Sequence, residues 1–320
     1  MSAFFTKIIS YLMIAYYTII PTFSVSYMPY EKANEDVLFT AAIISDTHLD
    51  YREVLLQGTL SYGLKHLKDV GDIDALLVSG DLTNYGDEKS IDTFYNIVRK
   101  YSPTKNLVAA SGNHDIGHVE DIDHDSVRAY NIAHYNEFMG TQFDKIYYSI
   151  ELKGYKFIVI SDQGDRWDHM TILEDQRKFL DKELAEGTKN GQPCFVICHW
   201  PMMERNGEVT VWEGSGIRDD MYNIRSILEK YNNVFFISGH MHEGMADKAF
   251  NEKMGFSWCE TYNGVNYINL PTYGLVNQYG VFWPGSGAVM EIYEDNVVFK
   301  ARNYLTGRQF KDCAHTFELV

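Results

Sequence analysis

Apolar residues along this chain arrive in two alternating rhythms. Short unbroken runs at residues 37–45, 75–79, 107–110, 194–198 and 234–238 predict strands buried on both faces. Between them, residues 52–68, 90–100, 126–138, 174–186 and 221–230 carry apolar positions at helical spacing, as in Leu56, Leu60, Leu64 and Leu67. Residues 147–152 and 155–161 read as two strands joined by Lys153-Gly154 in a hairpin. From residue 253 onward the helical spacing stops, and strands are expected at 255–260, 265–269, 288–293 and 297–304. The alternation predicts an α/β fold: two packed β-sheets with helices outside, in a single domain over residues 37–305 with a β-rich C-terminal part. Residues 306–320 read as a C-terminal tail.

The first residues behave differently. Lys7 is followed by an apolar stretch from Ile8 to Ile20, interrupted by Ser10, three tyrosines and Thr18, then by Pro21 and the small residues Ser24 and Ser26. That stretch is shorter than the roughly twenty residues a bilayer span needs. Residues 1–26 therefore read as a signal peptide or an N-terminal anchor, and the protein as secreted, extracytoplasmic or membrane-attached through this segment.

Composition narrows the picture. At 320 residues and 45% hydrophobic the chain can bury a sizeable core. Its formal charge of −16 and the lack of any Lys/Arg cluster disfavour a nucleic-acid partner. Cys194 and Cys198 share one predicted strand and read as buried thiols, whereas a Cys259–Cys313 disulfide is left open by the sequence.

The candidate chemistry falls where strands end. Asp46 and His48 follow the first run, Gly80-Asp81 the second, and Gly112-Asn113-His114-Asp115 the third. His199 follows residues 194–198, and Gly239-His240-Met241-His242 follows 234–238. Ligands of α/β sheets bind outside the carboxyl ends of strands, so five such clusters converge on one rim. Gly80, Gly112 and Gly239 each stand just before a ligand, where the chain must turn without a side-chain clash. Asp46, His48, Asp81, Asn113, His199, His240 and His242 offer seven donors, too many for one transition-metal ion and suited to two that share a carboxylate about 3.5–4 Å apart. Their mixed N/O character suits Mn²⁺, Fe²⁺ or Zn²⁺, and a net positive pocket on an acidic protein favours a small anionic substrate.

The series Asp46-x-His48, Gly80-Asp81, Gly112-Asn113-His114-Asp115, His199 and Gly239-His240-x-His242 resembles the calcineurin-like metallophosphoesterase superfamily in order and rough spacing. Within it, Ser45-Asp46-Thr47-His48 and His199-Trp200-Pro201 look most like the cyclic-nucleotide phosphodiesterase-like branch. The resemblance implies a four-layer sandwich of two mixed sheets flanked by helices. It also implies Asp46, His48 and His242 on one metal, Asn113, His199 and His240 on the other, and Asp81 bridging. In the mechanism it implies, a metal-bridged hydroxide attacks phosphorus in line, His114 acts as general acid, and Asp115 fixes the orientation of His114. Purple acid phosphatases resemble the same series but carry Gly where His48 stands and a ligating Tyr where Asn84 stands. Tyr85 comes one place late, so no tyrosinate site is expected.

Other residues carry weaker expectations. Asn84 and Arg218 are candidate phosphate contacts. His66, His118, His124, His134, His169 and His315 read as surface or core histidines, with His118 near enough to His114 to line the pocket. Trp167, Trp200, Trp212, Tyr273, Tyr279, Phe282 and Trp283 either stack a substrate ring or pack the loops. The competing readings are a non-catalytic scaffold of the same fold, which would have lost ligands that this chain retains, and a nuclease, which would need a basic track. Whether the substrate is a monoester or a diester, and the oligomeric state, are not written in the sequence.

Overall fold

The computed structural model describes residues 26–320 apart from 117–122, 165–169, 212, 215, 219–220, 244, 246–254 and 275–283. The first strands and helices are β1 (Tyr27–Met28), β2 (Phe39–Ile44), α1 (Val54–His66), β3 (Ala75–Val78), α2 (Glu88–Tyr101), β4 (Leu107–Ala109) and α3 (His124–Met139). The middle of the chain supplies β5 (Tyr148–Leu152), β6 (Tyr155–Val159), α4 (Glu174–Gly187), β7 (Cys194–Ile197), α5 (Glu208–Val211), α6 (Met221–Leu228) and β8 (Val234–Ser238). Five strands close the fold: β9 (Cys259–Tyr262), β10 (Val265–Asn269), β11 (Ser286–Ile292), β12 (Asn296–Asn303) and β13 (Arg308–Glu318).

These strands form two mixed sheets. One has seven strands in the order β1-β13-β12-β11-β2-β3-β4, the other six in the order β5-β6-β7-β8-β10-β9. In the first sheet β2, β3 and β4 run parallel. In the second β6, β7, β8 and β10 do. Strand alternation sorts the side chains between layers. Phe157, Phe195 and Phe235 point to the core between the sheets, their rings stacked at 5.1 and 5.2 Å. Their chain neighbours Ile158, Val196 and Phe236 pack instead with Leu180 and Leu184 of α4 and Ile224 of α6. Leu60 and Leu64 of α1 and Ile91 and Phe94 of α2 join the large core that holds the first sheet. Helices therefore flank a double sheet, as a four-layer sandwich requires.

Residues 306–320 are not a tail. Arg308–Glu318 is the longest strand of the described residues, paired antiparallel with β12 along most of its length and with β1 at Phe310 and Gln309. Its alternation is hard to read because charged and polar residues occupy the exposed positions. The segment 255–260, expected as a strand, pairs only from Cys259 onward. Cys259 and Cys313 are free buried thiols, as are Cys194 and Cys198. The leader lies almost wholly outside the described residues, and among the described residues no helix is long and apolar enough to cross a membrane.

Candidate metal centre

All five predicted clusters meet. Because β2, β3 and β4 are parallel in one sheet and β7 and β8 in the other, the loops leaving their C-terminal ends share one rim. Backbone hydrogen bonds stitch that rim together: Asp46 N–H donates to the Gly80 carbonyl, His48 N–H to that of Asp81, and Gly239 N–H to that of His199. Two groups of side chains converge, each with its donor atoms within 4.8 Å of one another. One holds Asp46, His48, Asp81 and His242; the other holds Asp81, His199 and His240. Asp81 belongs to both. The Asn113 side-chain oxygen lies 3.1 Å from His199 Nε2, which adds it to the second group.

The two carboxylates divide their oxygens in the same way. Asp46 Oδ2 accepts from the Ser45 hydroxyl at 2.5 Å and from the His240 amide at 3.2 Å, and Asp81 Oδ1 accepts from the His114 amide at 3.0 Å. Their other oxygens, Asp46 Oδ1 and Asp81 Oδ2, are buried without a hydrogen-bonding partner. These bare oxygens face imidazoles instead: His242 Nε2 is 3.0 Å from Asp46 Oδ1, and His199 and His48 Nε2 are 3.2 and 3.5 Å from Asp81 Oδ2. Ring nitrogens also face each other, His48 Nε2 to His242 Nε2 at 3.0 Å and His199 Nε2 to His240 Nδ1 at 3.1 Å. Lone pairs so close repel unless a proton or a cation lies among them, and buried unpaired carboxylate oxygens are costly for the same reason. His199 Nδ1–H donates to the Ser79 carbonyl at 3.0 Å, which fixes the ring so that Nε2 faces the cluster. This donor set fits divalent cations.

Electrostatics agrees. Burial alone would raise Asp46, but the nearby imidazoles of His242 and His199 hold it well below the usual carboxylate range. Burial likewise opposes charge on His199, yet the carboxylates of Asp81 and Asp46 pull it up to about 9. His240 goes the other way, down to about 3, through burial and the charge on His199. One cluster with opposite shifts on adjacent imidazoles has taken up positive charge and limits how much more it will accept.

The backbone is strained at this rim. Asp46, His48, Asp81, His240 and His242 all have positive φ, from 42° to 69°. Non-glycine residues seldom adopt this region, and such strain concentrates at functional sites. Nothing in the sequence signals it. The glycines act partly as expected: Gly80 has φ of 96°. Gly112 and Gly239, however, are there for space rather than for the turn. A Cβ on Gly112 would sit 2.0 Å from Asp81 Oδ1, and one on Gly239 would sit 1.9 Å from the Ser45 hydroxyl.

His114 is half-buried at the edge of the cluster, its ring 4.6 Å from that of His48. Asp115 does not orient it. The Asp115 carboxylate points the other way and accepts from the amides of Leu82, Thr83 and Gly112 and from the Thr83 hydroxyl, at 2.8–3.0 Å. Consecutive residues of a tight turn diverge, and here they serve different partners. Burial and the Asp81 carboxylate push Asp115 up to about 6 against the pull of those donors. His114 is held by the Asn84 backbone carbonyl, 2.8 Å from Nδ1. Asn84 thus enters the site through its main chain, whereas Arg218 is exposed and donates to the Gly214 carbonyl in its own loop. A contribution without sequence signal comes from the loop after β10, where the Thr272 hydroxyl donates to the Asp46 carbonyl and Tyr273 N–H to that of Ser45.

Among the aromatic candidates, Trp200 and Tyr273 are core residues, 0% and 1% exposed, with Trp200 packed on His199 and His240. Trp167, Trp212, Tyr279, Phe282, Trp283, His118 and His169 lie outside the described residues. His66, His124 and His134 bond within the fold, to the carbonyls of Tyr304 and Ile116 and the Asp92 carboxylate, and His315 packs on Trp258. Tyr85 is 40% exposed and its ring lies against Arg52, so it adds no phenolate to the cluster.

Comparison with known proteins places this fold in a family. A dimetal phosphatase structure from Danio rerio superposes with a TM-score of 0.63 over 89% of this chain and 100% of its own, at 14% identity, which shows a shared fold. Purple acid phosphatase 22 of Arabidopsis thaliana is 26% identical over 53% of this chain, a match that spans 38% of that protein's length. A probable cyclic nucleotide phosphodiesterase of Ruthia magnifica subsp. Calyptogena magnifica is 24% identical over 62% of this chain and 76% of its own. The calcineurin-like phosphoesterase family profile matches residues 39–244, which contain every candidate ligand. The chain belongs to the calcineurin-like phosphoesterases.

Proposed function

We propose that the protein is a dinuclear metal-dependent hydrolase of a small phosphodiester or phosphomonoester. Asp46, His48 and His242 would hold one divalent ion, Asn113, His199 and His240 the other, and Asp81 both. One observation carries this reading: the buried oxygens Asp46 Oδ1 and Asp81 Oδ2 face the ring nitrogens of His242, His48 and His199 within 3.0–3.5 Å, in two groups that share Asp81.

A pair of divalent ions held by these residues would supply water acidic enough to attack phosphorus near neutral pH and would offset the charge of the phosphoryl oxygens. The chain's own residues do the rest. His114 donates Nδ1–H to the Asn84 carbonyl, which leaves Nε2 to carry the proton that the leaving oxygen needs. The amide of His114 is tied to Asp81 Oδ1, so the acid and the shared carboxylate are fixed relative to each other. The net-negative surface, with 44 acidic against 28 basic residues, favours a small substrate over a nucleic acid. The apolar leader supports export from the cytoplasm.

The test is to strip the full-length protein with chelator and reload it with Mn²⁺, Fe²⁺ or Zn²⁺. Bound metal is then counted, and turnover of bis-p-nitrophenyl phosphate, p-nitrophenyl phosphate and cyclic nucleotides is assayed. Two metal equivalents and chelator-sensitive hydrolysis are expected. Fewer than two equivalents, or activity indifferent to chelator, overturns the reading.

A further inference from the structure

Beside the candidate acid lies a surface that the proposed chemistry does not use. Leu49 and Thr83 form a parallel bridge, with Leu49 N–H donating to the Leu82 carbonyl and Asn84 N–H to that of Leu49. The bridge makes residues 50–52 and 84–86 leave the rim side by side. Asn84 is the residue whose carbonyl holds His114, and Asp50 comes two residues after His48.

Three planar groups stand on these two strips. The Arg52 guanidinium lies 5.3 Å from the Tyr51 ring centroid and 5.2 Å from that of Tyr85. Both rings belong to the small set of exposed large hydrophobic side chains, Tyr51 at 39% and Tyr85 at 40%. The array is held in place. Asp50, buried at 4%, receives Arg52 Nε and Nη2 in a two-pronged pair at 2.7–3.2 Å, and the Tyr51 amide donates to the Ser90 hydroxyl. That pairing neutralises Arg52, so it is poorly suited to gripping a phosphate. It fixes the guanidinium plane instead and leaves Nη1 outside the Asp50 pair. A fixed cationic plane against two exposed phenol rings, one of them also met by the Lys89 ammonium at 5.2 Å, suits the face of another flat ring.

We propose that Tyr51, Arg52 and Tyr85 form a leaving-group subsite for phosphoesters whose departing alcohol carries a planar aromatic or heteroaromatic ring. This rests on the role proposed for His114. The acid protonates the leaving oxygen, so the group attached to that oxygen extends over the surface next to the acid. Residues 84–86 adjoin the acid through the Asn84 carbonyl, and residues 50–52 run beside them across the Leu49–Thr83 bridge. The ring stacks on the tyrosines, and Arg52 Nη1 donates to an acceptor at its edge.

The metal-reloaded full chain tests this with ester pairs that share one leaving alcohol and differ only in the ring. Adenosine 5′-phosphate against ribose 5-phosphate serves for monoester turnover, and the methyl diesters of the same two serve for diester turnover, following release of the ribosyl alcohol. Stacking of one base on an aromatic side chain is typically worth about tenfold or more in binding. The wild-type protein should therefore prefer the ring-bearing ester by about tenfold or more in kcat/KM. Tyr51→Leu and Tyr85→Leu should each shrink that ratio several-fold, whereas Tyr51→Phe and Tyr85→Phe, which keep the ring, should retain it. A wild-type ratio near one, or a ratio that the leucine variants leave unchanged, overturns the subsite while hydrolysis itself stands. Two bound metal equivalents without turnover of any ester refutes the proposed function, and the subsite with it.

Discussion

Replacing Asp115 by Asn separates two roles for this residue: direct orientation of His114 or fixation of the loop that orients it. The wild-type carboxylate accepts four hydrogen bonds, two on each oxygen. Oδ1 receives the Thr83 amide and hydroxyl, and Oδ2 receives the amides of Gly112 and Leu82. An asparagine can keep only one acceptor oxygen. Its better arrangement turns that oxygen to Gly112 and Leu82 and its NH₂ toward Thr83, whose hydroxyl can rotate to accept. The Thr83 amide then faces a donor with no acceptor. One buried orphaned donor costs about 1–3 kcal/mol, and loss of a charged acceptor weakens the remaining bonds, so a stability loss of about 2–4 kcal/mol is expected. Urea unfolding of the metal-free protein measures it directly.

The functional consequence follows from where the loosened amide sits. Thr83 precedes Asn84, whose carbonyl holds His114 Nδ1 at 2.8 Å. A displacement of about 1 Å at a catalytic group can cost up to a hundredfold in rate. Turnover of esters with poor leaving groups should therefore fall about ten- to a hundredfold, and that of p-nitrophenyl esters much less, because p-nitrophenolate departs with little help from an acid. Metal content should stay at two equivalents. The reasoning is refuted if D115N unfolds within about 0.5 kcal/mol of wild type, or if good and poor leaving groups lose rate equally.

Three further outcomes bear on the same centre. His114→Ala should retain both metals and lose turnover chiefly with poor leaving groups; loss of metal on elemental analysis would place His114 among the ligands instead. Gly112→Ala puts a methyl 2.0 Å from Asp81 Oδ1 and 2.6 Å from its amide, so the shared carboxylate must move and metal stoichiometry should drop below two. Metal uptake should release a proton: His199 is raised to about 9, so without metal it is protonated at neutral pH and must lose that proton to bind. Apparent affinity should thus rise with pH up to that value, and calorimetry in buffers of different ionisation enthalpy should count roughly three-quarters of a proton more at pH 7 than at pH 9.5.

Much of this was legible in the chain because chemistry and hydrophobic rhythm are tied together here. A run such as Phe39–Ile44 must be buried on both faces. The polar residue that ends it must leave at the sheet's rim, so Asp46, Asp81, Asn113, His199 and His240 are located by the strands before them. What stayed hidden depends on direction rather than position. His114 and Asp115 are neighbours in sequence yet face different partners, because a turn sends successive side chains apart. Asn84 contributes a carbonyl, and a main-chain group has no residue-type signature. The strand Arg308–Glu318 buries only Phe310 and Cys313 among its apolar residues and exposes charges between, so its pattern looks like a tail. The four-residue helix Glu208–Val211 spans barely one turn, too short for an apolar spacing to repeat.

The strained backbone and the divided carboxylates belong to one design. A non-glycine residue in the left-handed region costs about 1–2 kcal/mol, and five candidate ligands occupy it. Such a rim persists only if its parts hold each other. Asp46 Oδ2 holds the amide of His240, Asp81 Oδ1 holds the amide of His114, and the Asp46 amide is held by the residue before Asp81. Each carboxylate thus uses one oxygen to brace a neighbouring amide, that of the strained His240 for Asp46 and that of His114 for Asp81, and presents the other, buried, to the cluster. The same side chains therefore fix the geometry and create the demand for cations. Binding them replaces imidazole protons as the positive charge that faces these oxygens, which couples the stability of this rim to its occupancy.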